Sequence, residues 1–227
     1  MKKKIFMLAL SACLIVLSIA GSSLAYFTDV EEQSTVFTAG NVNIELSFTA
    51  PTPTGNAYPN QTISAPATIK NTGSEDAYVG AIITFTAGAD KDLATIISPA
   101  GENDAIPVSI RNFFTGFASA DDDTYTVKYT ATPGAGGKTT GYTVYVLKND
   151  AVAKGVGGAE GETVTLFSGV KIPYQWDNDE MAVFNGLKIS VKAYATQTQG
   201  FADNTAATAL TTAFTDWSGF AGYTALN

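Results

Sequence analysis

The chain has 227 residues, 13 Lys and Arg against 21 Asp and Glu, one cysteine, no histidine, and 45% apolar side chains. That is the composition of a chain that buries a core, not of a disordered one. Without histidine there is no Ser-His-Asp triad, no Cys-His nucleophile pair and no His-ligated zinc. The formal net charge of -8 argues against nucleic acid, which needs clustered Lys and Arg for its phosphates.

The first 25 residues read as a secretory leader. Lys2, Lys3 and Lys4 precede an apolar run from Ile5 to Ala20, and small residues follow. Ser23 and Ala25 fit a peptidase that accepts small side chains, with cleavage before Tyr26. Cleavage removes Cys13 and three basic residues, leaving ten basic against 21 acidic ones and a formal net charge of -11. The expected mature protein, residues 26–227, is a single domain that is cysteine-free and exported. It meets the membrane through the uncleaved leader alone and the signal peptidase during export.

Beyond the leader, alternation with period two predicts strands. Val42, Ile44, Leu46 and Phe48 form one apolar set, and Ile63, Ala65, Ala67 and Ile69 another. Pro66 lacks an amide donor, which predicts a sheet edge there. Asn71-Thr72-Gly73-Ser74 is a turn signal. Ala77, Val79, Ala81, Ile83 and Phe85 then share a face, while Tyr78 and Ile82 suggest that the other face is partly covered. Tyr125, Val127, Tyr129 and Ala131 precede Pro133–Gly137, and Tyr142, Val144 and Val146 resume beyond it, as in a hairpin with a longer loop. Thr163–Phe167 is a further strand. Leu187, Ile189, Val191, Ala193 and Ala195 make the last, with Lys188 and Lys192 on a polar face that would discourage edge pairing.

Three segments depart from this period. Asp90–Ile97 predicts a short helix. Asp177-Asn178-Asp179-Glu180 has the form of a capping box before Met181–Phe184, with Gly186 as a left-handed stop. Asp203–Phe214 carries Ala206, Leu210, Ala213 and Phe214 at helical spacing. The fold class predicted is all-β: one antiparallel β-sandwich with one to three short helices.

Smaller signals select no catalytic, cofactor-binding or metal-ligating set. Asp121-Asp122-Asp123 lacks the spacing of a calcium loop and reads as a solvated turn. The glycine-rich stretch Gly155–Gly161 lacks the Lys-Ser or Lys-Thr pair of a phosphate loop. Trp176 and Trp217 could stack on sugar rings, but both stand among apolar residues and read as core.

Ala25-Tyr26-Phe27-Thr28-Asp29, followed by Val36-Phe37-Thr38-Ala39-Gly40-Asn41-Val42, resembles the start of the TasA/camelysin family. Ile69–Gly73, Leu166–Trp176 and Leu187–Gln197 are similar to later family segments. The resemblance implies an exported protein of a Gram-positive bacterium, with a leader cut by a W-type signal peptidase and a jelly-roll-like fold. Some relatives build biofilm matrix fibres, and others are described as surface metalloproteases. The expected function is a secreted, non-enzymatic subunit of the extracellular matrix, without cofactors, whose partners are its own copies or a paralogous subunit. Residues 26–33, with Tyr26, Phe27 and Val30 as anchors, are the candidate strand that leaves one copy to complete the sheet of the next. Two alternatives stand beside it: a camelysin-like protease, disfavoured by the missing histidine, and a monomeric carbohydrate- or surface-binding module.

Overall fold

A computed structural model describes residues 28–32, 42–51, 57–102, 105–118, 123–155 and 159–226. In chain order the strands are β1 (Thr28–Glu32), β2 (Ile44–Phe48), β3 (Thr62–Asn71), β4 (Ala77–Thr86), β5 (Ile97–Ser98), β6 (Val108–Ser109), β7 (Phe114–Thr115), β8 (Tyr125–Pro133), β9 (Thr139–Lys148), β10 (Thr163–Lys171), β11 (Lys188–Gln197) and β12 (Thr224–Ala225). Among the described residues three α-helices accompany them: α1 (Ile110–Phe113), α2 (Asn178–Phe184) and α3 (Ala206–Ala213). A six-stranded antiparallel sheet has the order β1-β11-β4-β9-β8-β12, and a four-stranded one the order β2-β3-β10-β7. β5 and β6 form a small parallel pair.

The fold is thus the all-β sandwich expected. Alternate residues of each strand meet between the sheets, because successive side chains point to opposite faces. Ile44, Ile69 and Val164 from the four-stranded sheet pack with Val79, Ile83, Phe85, Val144 and Val191 from the six-stranded one. Asn71, fully buried where β3 ends, holds the adjoining turn. Its amide donates to the carbonyls of Glu75 (3.0 Å) and Val152 (2.9 Å), and its oxygen accepts from Gly73 N (2.9 Å). The β8–β9 hairpin closes through a 3-10 turn over Ala135–Gly137.

Three expectations are corrected. Pro66 is not on an edge strand: β3 lies between β2 and β10. The proline is tolerated because β2 has ended, with Phe48 opposite Ala67 as its last pair, and because the β10 ladder slips between Phe167 and Gly169 at that level. Asp90–Ile97 is not an α-helix. A single 3-10 turn spans Leu93–Thr95, capped by Asp92, and Ile97 has already entered β5. Finally, Lys188 and Lys192 do not guard an edge, because β11 is flanked by β1 and β4.

The capping box forms as read. Asp177 Oδ1 accepts from Asp179 N at 2.8 Å, and Glu180 Oε2 accepts from Asp177 N at 2.9 Å. Gly186, at φ 87°, follows the helix in the left-handed region open to glycine. The Asp179 amide, with help from Glu180, holds the Asp177 carboxyl below the ordinary aspartate range. The cap therefore contributes fully above that range and is lost as pH falls through the lowered value. Thermal melts of wild type and Asp177→Ala should differ by a constant amount near neutrality, and the gap should narrow as the pH falls below the ordinary aspartate range. A gap unchanged in acid would refute this role.

Candidate functional site

The outward face of β4, β9 and β11 carries a second apolar layer. Ile82, Tyr145, Leu147 and Tyr194 project from the strands, and Ala206, Leu210, Phe214, Trp217 and Phe220 cover them from α3 and the tail behind it. α3 starts where Thr205 caps Thr208 N at 3.3 Å, and Asp203 binds both Thr205 and Thr208. The tail reaches the far edge of the sheet, where β12 pairs with β8 at Lys128 and Tyr129. Lys128 Nζ donates to the carbonyls of Phe220 (3.0 Å) and Ala221 (3.1 Å), and Tyr194 Oη donates to Asp216 Oδ2 at 2.5 Å. β11 and its neighbours are thereby backed on both faces.

At the other edge lies β1, joined to β11 in an antiparallel ladder. Thr28 stands opposite Thr196, Asp29 opposite Ala195, Val30 opposite Tyr194, Glu31 opposite Ala193 and Glu32 opposite Lys192. β2, the last strand of the other sheet, lies beside β1 and β11. The outermost strands of the two sheets, β1 and β2, therefore meet on the same flank. Val30 is the one predicted assembly residue within the described residues; Tyr26 and Phe27, with the cleavage residues Ser23 and Ala25, lie outside them, as do Asp121 and Asp122.

Both tryptophans are core. Trp176 packs on Phe113 and Phe184, and Trp217 on Tyr145, Tyr194 and Phe220. What sequence reasoning missed is a pair of exposed aromatics, Tyr58 and Tyr174, on two adjoining turns. A proline beside each, Pro59 and Pro173, is the signal that marked them.

Among the described residues the shifted titratable groups have local causes. Burial, then Asp92 and Tyr129, pushes the Tyr142 phenol up to about 12. Burial likewise raises that of Tyr145. The carboxyl of Glu160 is lowered by Lys70 at 2.7 Å, and those of Asp177 and Asp203 by the amides they cap. Among the described residues no three of His, Cys, Asp and Glu gather as a metal ligand set, and no helix is long and apolar enough to cross a membrane.

Residues 1–93 match the family model described as camelysin metallo-endopeptidase. That agrees with the resemblance read at Ala25–Val42 and Ile69–Gly73; the later segments fall beyond the matched span. No curated protein and no solved structure matches the chain. The family's name implies a catalytic metal. The donor set does not fit one: a catalytic zinc commonly takes histidine with carboxylate, whereas this chain has no histidine, and its one cysteine lies in the leader-like segment.

Proposed function

We propose that this chain, whose first 93 residues carry the camelysin family's pattern, is an exported and non-enzymatic structural subunit. It assembles head to tail into extracellular matrix fibres by adding its N-terminal strand to the sheet of the next copy. The observation that carries this reading is the position of β1. It follows the leader-like segment directly, it is the outermost strand of the larger sheet, and its ladder partner is β11. Its sequence, TDVEE, has three acids in five residues. Its ladder is antiparallel, so its main-chain bonds are independent of which copy supplies the strand. Another copy's β1 can make the same bonds.

Leader cleavage fits this scheme as the trigger. While the leader is attached, β1 is tethered at both ends; once trimmed, its N-terminal end is free. A head-to-tail exchange whose rotation does not close gives an open filament. Residues 26–227, purified and followed by light scattering, should grow with time into high-mass particles that are filamentous by electron microscopy. Isolated single molecules persisting at high concentration would overturn the reading.

A further inference from the structure

We infer that the turns bearing Tyr58 and Tyr174 form a binding site for an uncharged polysaccharide, a property separate from fibre assembly. Among the described residues, Tyr58 and Tyr174 are the most exposed of the large hydrophobic side chains, at 58% and 59%, ahead of Ile106 at 43%. Both sit at one end of the β3–β10 pair. Tyr58 opens a turn in which its carbonyl accepts from Gln61 N at 3.3 Å, with Pro59 next and Asn60 third at φ 66°. Proline second and a left-handed Asn third are what a type II turn requires. Gln61 Oε1 also accepts from Tyr58 N at 3.2 Å. Tyr174 stands on a second turn, where Trp176 N donates to the Pro173 carbonyl at 3.4 Å and the buried Trp176 indole anchors the far side. Gln175 Nε2 donates to Tyr174 Oη at 3.0 Å.

The turns are tied to each other. Asn60 N donates to the Ile172 carbonyl at 3.0 Å, and Ile172 N donates to the Gln61 carbonyl at 2.8 Å. The two rings therefore ride on one braced platform, and little ordering is left for a ligand to impose. Beside it runs a groove of about 520 Å³ lined by Ala57, Ile63, Val170, Met181, Phe184 and Leu187.

The surroundings choose the ligand. Asn60, Gln61, Gln175 and Asn178 supply amides, which both donate to and accept from hydroxyl groups. Tyrosine rings offer apolar faces with a polar tip, suited to a sugar ring that is apolar on its faces and hydroxylated at its rim. Asp177 and Asp179 are exposed on the next helical turn, and the lowered pKa of Asp177 keeps it anionic. A polyanion would be repelled there, and the net charge of the chain as a whole is negative. An uncharged glycan chain satisfies all three conditions.

The test is affinity gel electrophoresis of residues 26–227 in gels holding hydroxyethylcellulose, glycol chitin, soluble β-1,3-glucan or, as the polyanion, alginate, each read against a polymer-free gel. Retardation is expected in at least one uncharged polymer and not in alginate. Tyr58→Ala and Tyr174→Ala should each weaken it about 2- to 10-fold, and the double variant should run as in the blank. Tyr→Trp variants should bind. Both rings are exposed, so melting temperatures should hold, and fibre growth should continue in the double variant. Failure of every uncharged polymer, undiminished binding by the double variant, or preference for alginate each overturns the inference.

Discussion

Residues 26–227 carrying Glu32→Cys and Lys192→Cys, assembled under reducing conditions and then oxidised, should run as a ladder of covalent multimers on a non-reducing gel. The two positions are cross-strand partners. Antiparallel partners have Cα atoms about 4.5–5.5 Å apart, inside the range a disulfide spans. No other thiol competes, since the only natural cysteine is Cys13. Oxidised before assembly, the same pair should close within one chain and stop growth. Filaments that yield only single-chain species after oxidation would rule out β11 as the acceptor edge. Removing Tyr26–Gln33 should abolish filaments outright, by the same logic.

Magnitudes say how this exchange must behave. Within one chain, β1 is tied to β2 through residues 33–43. A short tether holds a strand near its partner at an effective concentration in the millimolar range. The exchanged state makes the same five pairings, so it gains nothing from the ladder itself. Growth should therefore depend steeply on protein concentration and begin after a lag, because a newly trimmed chain starts with its own β1 in place. A filament therefore needs a further contact between copies, outside the ladder, to tip a balanced exchange toward growth.

The sequence announced those features that depend on local chemistry. The alternations of β4 and β11, the hairpin of β8 and β9, and the box at Asp177 and Glu180 are each decided within a few residues. Pro66 misled because its missing donor says nothing of where β2 stops or where β10 slips; those are tertiary facts. Tyr78 and Ile82 hinted at cover on the outer face, and helical spacing announced α3, but the rest of the cover, the tail behind α3, runs through two 3-10 turns and the short β12 without a readable period. The site was half legible. Residues 26–33 stood out as a strand beside the cleavage point, yet nothing in their order told which sheet they join. Tyr58 and Tyr174 were unreadable as a pair, because the bonds that unite their turns join residues more than a hundred positions apart.

That unread tail carries the largest stability effect. Trp217→Ala should destabilise the protein by about 3–5 kcal/mol, the usual cost of emptying a large aromatic site. In a chain of this size that lowers the melting temperature by roughly 6–20 °C. Trp217 is fully buried, with Tyr145 and Tyr194 edge-on at 5.5 and 5.9 Å and Phe220 at 5.2 Å. Its indole N–H has no partner among the described residues, so the loss is one of packing and not of a hydrogen bond. The fit depends on Gly80, where a Cβ would stand 2.5 Å from the Trp217 ring. Gly80→Ala alone should therefore be strongly destabilising, and the same change in the Trp217→Ala background much less so, since the remaining close approach, 2.7 Å to Leu210 Cδ1, is to the end of a flexible side chain. A double-mutant cycle from denaturant melts reads this coupling, and simple additivity would disprove the contact's role. Gly80 pairs with Tyr194 of β11, which in turn faces Val30 of β1. Loosening Trp217 should therefore slow fibre growth at temperatures where the sandwich is still folded, by unsettling the strand to which the incoming β1 adds.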